Sequence, residues 1–180
     1  MKNSFYILIF FPFLMMGQSN STDSKASKTV AIERQFSKPV VLAYQNQAIN
    51  TIKDFYNYIN LYKETEHSSA LETEIDKSIE ALFLNSKITL RNIFNETDES
   101  LSLDEFLTQC KEQHVSILVS YFEENNIISD TFFAFQYKIN TTINNKTTTY
   151  TINQKVYFFP SEKQFGTQTK NVWQLKLGEF

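Results

Sequence analysis

Residues 131–159 read TFFAFQYKINTTINNKTTTYTINQKVYFF, and their alternation decides the fold. Phe133, Phe135, Tyr137 and Ile139 fall on one face of an extended chain; Ala134, Gln136, Lys138 and Asn140 fall on the other. After Asn144-Asn145 the pattern resumes. Tyr150, Ile152, Val156 and Phe158 share a face, with Thr151, Asn153 and Lys155 opposite. Period-two alternation marks strands with one buried face. Asn tolerates positive φ, so an Asn-Asn loop suits a type I′ turn. Closing the hairpin there sets Ile139 against Tyr150, Tyr137 against Ile152 and Phe133 against Val156. The apolar sets then meet on one face, which fixes the register.

Two further strands flank the hairpin. Residues 115–123 put Val115, Ile117, Val119 and Tyr121 on one face. Residues 171–177 put Trp173, Leu175 and Leu177 on one face and Gln174 and Lys176 on the other. Residues 160–171 read as a polar connection. Upstream, apolar residues recur at helical spacing over 42–64 (Ile49, Ile52, Phe55, Ile59, Tyr62). A second helix follows, with Ser69 and Glu72 matching a capping box and Leu71, Ile75, Ile79, Leu82 and Phe83 as its stripe. Its acidic residues read as a solvated face. A short strand over 87–92 turns Ile88 and Leu90 inward. After an acidic loop, Ser102 and Glu105 form another capping box, opening a short helix with Leu103, Phe106, Leu107 and Cys110 inward.

Length and composition bound the function. A chain of 180 residues makes one ordinary domain plus some extra length, and 17 Phe are ample for a core. Three Gly and three Pro argue against collagen-like or low-complexity classes. The net charge is −3 with no Lys/Arg cluster, so nucleic-acid binding through phosphates is not expected. The single cysteine, Cys110, allows neither an intramolecular disulfide nor a cysteine zinc site, and reads as a buried thiol. Two separated histidines, His67 and His114, make no metal pattern. No phosphate-binding glycine loop or Gly-x-Ser-x-Gly elbow is present. No cofactor is expected.

The first residues read as a targeting signal. Lys2 is a short positive region, FYILIFFPFLMM (5–16) an apolar core, and Gly17 and Ser19 small residues near a cleavage point. The division expected is a signal peptide over 1–17, a flexible polar tether over 18–39 and a single α+β domain over 40–180. An uncleaved anchor is the alternative. The apolar run is short for a bilayer span, so no membrane span is expected after cleavage. The mature chain is expected to be exported, periplasmic or secreted. Asn, Lys, Ile, Phe and Tyr abundance is similar to that of proteins from AT-rich bacterial genomes.

Helices followed by grouped antiparallel strands define an α+β class, with the N-terminal helices packed on one face of a curved antiparallel sheet. IKDFYNYINLY (52–62), IEALFLNSKITL (79–90), LSLDEFL (101–107) and VWQLKL (172–177) together resemble the nuclear transport factor 2-like superfamily, a cone-shaped fold that includes ketosteroid-isomerase-like proteins. A cystatin-like roll is the competing fold. The resemblance implies a pocket between the helices and the sheet, and often dimerisation through the sheet. Its enzymes carry an Asp, His or Tyr inside an apolar cone, and other members bind without chemistry; fold does not decide between them. No catalytic motif can be matched to positions here, so no catalytic residue is assigned.

Periodicity supplies the candidate pocket residues. Gln154 is the polar residue on the hairpin's apolar face, opposite Phe135; Tyr121, Tyr137 and Tyr150 share the inward sets; His114 sits at a helix-to-strand junction. A small apolar ligand could meet a few convergent polar groups there. Alternatively the tyrosines are core residues and Gln154 lies at a wet sheet end. On the outer face, Phe132, Tyr157 and Phe159, with Ala134, form a partly apolar patch suited to a homodimer, unless residues 36–42 cover it. The function expected is a non-catalytic extracytoplasmic ligand-binding or protein-interaction domain; the alternative is an isomerase- or dehydratase-like enzyme using His114 or a pocket Tyr with Gln154.

Overall fold

The computed structural model describes residues 32–64, 68–95, 99–123 and 127–180. The expected signal segment lies outside them. The chain is α+β. Four helices are described, α1 (Ile32–Gln35), α2 (Lys38–Leu61), α3 (Ser69–Leu82) and α4 (Leu103–Glu112). Strands β1 (Thr89–Arg91) and β2 (Ser100–Ser102) form a small antiparallel pair. The main sheet runs β3 (Ser116–Phe122), β5 (Phe132–Ile143), β6 (Lys146–Phe165), β7 (Gln168–Leu177), with β4 (Ile127–Ile128) paired to β5. The long helices pack on one face of this antiparallel sheet.

The hairpin has the register its alternation requires. Ile139 pairs with Tyr150, Tyr137 with Ile152, Phe135 with Gln154 and Phe133 with Val156. Asn144 and Asn145 turn it at φ +47° and +63°, the left-handed geometry of a type I′ loop. Phe133, Phe135, Tyr137, Ile139, Ile152, Val156 and Phe158 are all buried on the inner face. Burying each contributes about 1.5–3 kcal/mol.

Helix α2 begins earlier than the sequence spacing predicts. Pro39 sits in its first turn, where a missing N–H loses no bond. Residues 32–35 and 38–39, expected within the tether, are helical, and residues 18–31 of that expected segment lie outside the described residues. Ile32 is buried, and the Phe36 ring packs edge-on against Tyr44, Phe158 and Trp173. Ala48, Ile52, Phe55, Tyr56 and Ile59 form the buried stripe of α2. Asn60, one turn beyond Tyr56, ties the helix to the sheet edge. Its amide nitrogen donates to the Ile117 carbonyl at 2.7 Å, and its oxygen accepts from the Ile117 N–H at 2.8 Å. The side chain thereby pairs an edge strand as a neighbouring strand would.

Helix α3 is capped by Ser68, whose hydroxyl accepts from the Leu71 N–H, rather than by Ser69. Glu72 is therefore free to cross to α4. Lys111 bridges Glu72 at 2.9 Å and Asp76 at 2.8 Å, and Asp76 also accepts the Tyr62 hydroxyl at 2.5 Å. Part of the acidic face of α3 is thus a clasp between helices. Burial opposes the charge on Lys111, but the hydrogen bonds it donates to Asp76 and Glu72 outweigh it and raise its pKa. Helix α4 carries the predicted capping box. Ser102 accepts from the Glu105 N–H, and the Glu105 carboxylate accepts from the Ser102 N–H at 2.8 Å. Leu103, Phe106, Leu107 and Cys110 are buried as expected. Burial pushes the Cys110 thiol pKa up, which keeps it un-ionised.

Two strand features differ from the sequence reading. Val119 pairs with Ile139 but Tyr121 pairs with Lys138, so Ser120 is an extra, bulged residue. Residues 160–171 are not a connection. β6 and β7 continue past the start of β5 as a paired ribbon, turning at Gly166 with φ +62°. Residues 162–171 are exposed throughout. With no buried face, this ribbon has no alternation for the sequence to betray.

Candidate functional site

Three of the predicted pocket residues converge in the core. Phe135, Tyr137 and Gln154 are at most 1% exposed. Tyr137 donates to the Gln154 side-chain oxygen at 2.6 Å, and its own oxygen lies 2.9 Å from the Tyr56 hydroxyl. Since Tyr137 spends its one proton on Gln154, Tyr56 is the donor to Tyr137. Gln154 in turn donates to the Gly178 carbonyl at 3.5 Å. The chain of donors therefore runs Tyr56, Tyr137, Gln154, Gly178. Burial raises the pKa of both tyrosines, so both stay neutral donors.

Aromatic rings surround this knot. Phe180 packs against Phe55, Tyr56 and Phe106 at ring-centroid distances of 6.0–6.5 Å. Phe122 lies 5.1 Å from the Tyr137 ring. Gly178 runs so close to Tyr157 that an added Cβ would fall 2.5 Å from its ring. Tyr56 was not among the sequence candidates. Its place beside Phe55 in the stripe of α2 was the available signal.

Two other candidates lie elsewhere. Tyr121 is 54% exposed and pairs with Lys138 on the outer face, because the bulge at Ser120 reverses the alternation. Phe122 takes the inner position in its stead. His114 is exposed, in the turn after α4, with φ +47°. On the outer face, Phe132 and Tyr157 pair across strands with rings 5.9 Å apart, and Lys155 lies over the Phe132 ring. Phe159 is half-buried beyond them. Phe36 does not cover this patch; it packs on Phe158 and Trp173, on the inner side. Glu179 reaches it instead, 2.5 Å from Lys155 and 3.4 Å from the Tyr157 hydroxyl. The Lys155 hydrogen bond holds the Glu179 carboxyl below its ordinary pKa.

Farther along the same hairpin the inner face opens. A pocket of about 470 Å³ lies against Thr141, Ile143, Lys146, Thr148 and Tyr150, with Ile93, Phe94 and Asn95 after β1 and Gln113 after α4 as its other walls. Thr141 is 2% exposed, and its hydroxyl has no hydrogen-bond partner among the described residues. Two neighbours are fixed from behind. The Phe94 ring packs on Phe106 at 5.4 Å, and the Arg91 guanidinium lies over the Tyr150 ring at 5.9 Å. The Gln113 amide donates to the Gln109 side chain at 2.6 Å. Of this lining the sequence placed Tyr150 among the inward polar groups and did not single out Thr141 or Lys146.

Among the described residues, no group of three His, Cys, Asp or Glu is placed to hold a metal ion. None of the described helices is long and apolar enough to cross a membrane. The architecture defines an α+β protein with helices on one face of an antiparallel sheet. Comparison with family models and with curated proteins finds no match.

Proposed function

We propose that the chain is a non-catalytic ligand-binding domain of nuclear transport factor 2-like fold, acting outside the cytoplasm, with its site in the pocket at the hairpin end of the inner face. The observation that carries this reading is Thr141, a buried hydroxyl on a pocket wall with no partner among the described residues. Leaving such a group unsatisfied costs about 1–3 kcal/mol. A bound molecule that hydrogen-bonds there recovers it. The volume of about 470 Å³ falls within the ~300–1,000 Å³ of small-molecule sites. Apolar walls with a few convergent amides and hydroxyls are the composition such sites use.

General acid-base work falls most often to His, Glu or Asp, and also to Lys, Tyr or Cys. Among the described residues the ionisable groups on this wall are Lys146 and Tyr150, and neither has a His, Asp or Glu beside it in the described lining to activate it, which supports recognition over acid-base chemistry. The fold family is supported by the order of elements: aromatic α2, the passage from α3 into β1, the capped α4 and the closing β7. The compartment is supported by Lys2 and the apolar run over 5–16.

Native mass spectrometry of the chain recovered from an extracytoplasmic fraction tests both halves. The expected result is a reproducible non-covalent adduct on a chain that has lost its apolar N-terminus. An adduct-free chain that no member of a small-molecule fragment library binds overturns the binding reading. A chain retained in the cytoplasm with that terminus intact overturns the compartment.

A further inference from the structure

We infer that this pocket takes a small organic carboxylate with a flat apolar body and a second hydrogen-bonding group, the carboxylate at Lys146 and the second group at Thr141. The inference rests on the ligand-binding reading above and names the class of ligand.

Charge is the first argument. Among the described residues, Lys146 is the one residue of the lining with a full charge at neutral pH, and no described Asp or Glu lines the pocket. Lys146 is exposed at the rim and has no ion-pair partner among the described residues. A cationic ligand would meet that ammonium uncompensated. A dianionic phosphate would find one cation where such groups ordinarily gather several donors. A carboxylate monoanion matches one ammonium and neighbouring amide donors.

Spacing is the second. Thr141 pairs with Thr148, and two residues farther Ile143 pairs with Lys146. Two strand residues separate the hydroxyl from the lysine's rung by about 7 Å. The ligand therefore carries its polar groups at opposite ends. The apolar walls are Ile93 and Ile143 and the rings of Phe94 and Tyr150, with Ile143 on the Lys146 rung and Tyr150 one inner rung beyond Thr141. Both rings are held by contacts outside the pocket, so the slot is pre-formed for a flat body. At the deep end a ligand hydroxyl or carbonyl gives Thr141 the partner it lacks; a threonine hydroxyl can donate or accept.

The test titrates the full mature chain with three matched probes: 4-hydroxyphenylacetate, its neutral amide 4-hydroxyphenylacetamide, and the cation tyramine. Unsubstituted phenylacetate serves as a fourth. Ligand-observed NMR and calorimetry read affinity, and the thermal midpoint checks folding of each variant. The acid is expected to bind about tenfold tighter than the amide, the gain of one charge-assisted hydrogen bond, and tyramine weakest. Lys146→Gln, at an exposed position beside the turn, should erase the preference for acid over amide. Thr141→Val should weaken 4-hydroxyphenylacetate severalfold and leave phenylacetate unchanged. Equal binding of acid and amide, or a preference that survives Lys146→Gln, overturns the carboxylate class while pocket binding stands. So does failure of all four probes when fragments of other chemistry bind there. A loss with Thr141→Val that is the same for both acids overturns the role of the hydroxyl. If no fragment binds at all, the ligand-binding reading itself falls.

Discussion

The knot at Gln154 and the pocket at Thr141 lie on the same face of the same two strands, a few rungs apart. One is closed and satisfied, the other open and unsatisfied. At Gln154, helix α2 brings Tyr56, β5 brings Tyr137, and the segment after β7 brings the Gly178 carbonyl and the Phe180 ring. At Thr141 the cover comes from residues after β1 and α4, which leave a space and no partner among the described residues. The difference teaches that a polar residue on a buried sheet face is structural or functional according to what lies over it. Residue type does not decide it.

The comparison breaks most visibly at Gln154. Gln154→Ala removes the acceptor for Tyr137 and leaves a cavity, and should lower unfolding free energy by about 3 kcal/mol. Urea denaturation at unchanged m-value is the measurement. A loss below half a kcal/mol would mean that the knot is not holding the core. Asn60→Ala comes next. It strips two bonds from the Ile117 backbone and loosens α2 over the knot, for about 1–2 kcal/mol. Amide exchange should rise first at Ile117, whose N–H loses its acceptor.

Thr141→Val should have the opposite sign. Replacing an unpaired buried hydroxyl with a methyl group is neutral or stabilising by up to about 1 kcal/mol. A destabilisation like that of Gln154→Ala would make the two regions equivalent and remove the case for a site. A smaller effect comes from Glu179, which clasps Lys155 beside the knot. Its folded pKa is depressed, so its contribution is present above the ordinary carboxylate pKa and is lost as pH falls through the lower folded value. The pair is partly exposed, so the contribution is a few tenths of a kcal/mol after solvent screening. Glu179→Gln should flatten that part of the acid limb of a stability-versus-pH curve. Smallest of all, Tyr121→Ser on the outer face should stay within about half a kcal/mol and leave ligand binding intact. A loss of binding would return Tyr121 to the site.

Much of the fold was legible because it rests on short-range chemistry. Alternation about Asn144-Asn145 specified the hairpin register, and Ser102 with Glu105 specified the start of α4. What was illegible has physical causes. A bulge inserts one residue without disturbing composition, so Ser120 sent Tyr121 outward unseen. Ser68 and Ser69 are equally able caps, and only backbone geometry chose between them. The ribbon beyond Pro160 buries no face, so it read as loop. Of the site itself, Tyr137 and Gln154 could be seen to face inward, but not that Tyr56 and Gly178 would close them off.

The sequence by itself determined the α+β order of elements, the pairing of the two long strands and the residues of that hairpin that face the helices. These follow from turn chemistry, capping and side-chain alternation, all of which act over a few residues. Only the tertiary structure decided which part of that inner face is sealed and which part is left as a pocket. That choice depends on distant segments, residues 93–95, Gln113 and Gly178–Phe180, meeting the sheet. Whether Thr141 finds a partner is set by where those segments stop, and no local pattern records it.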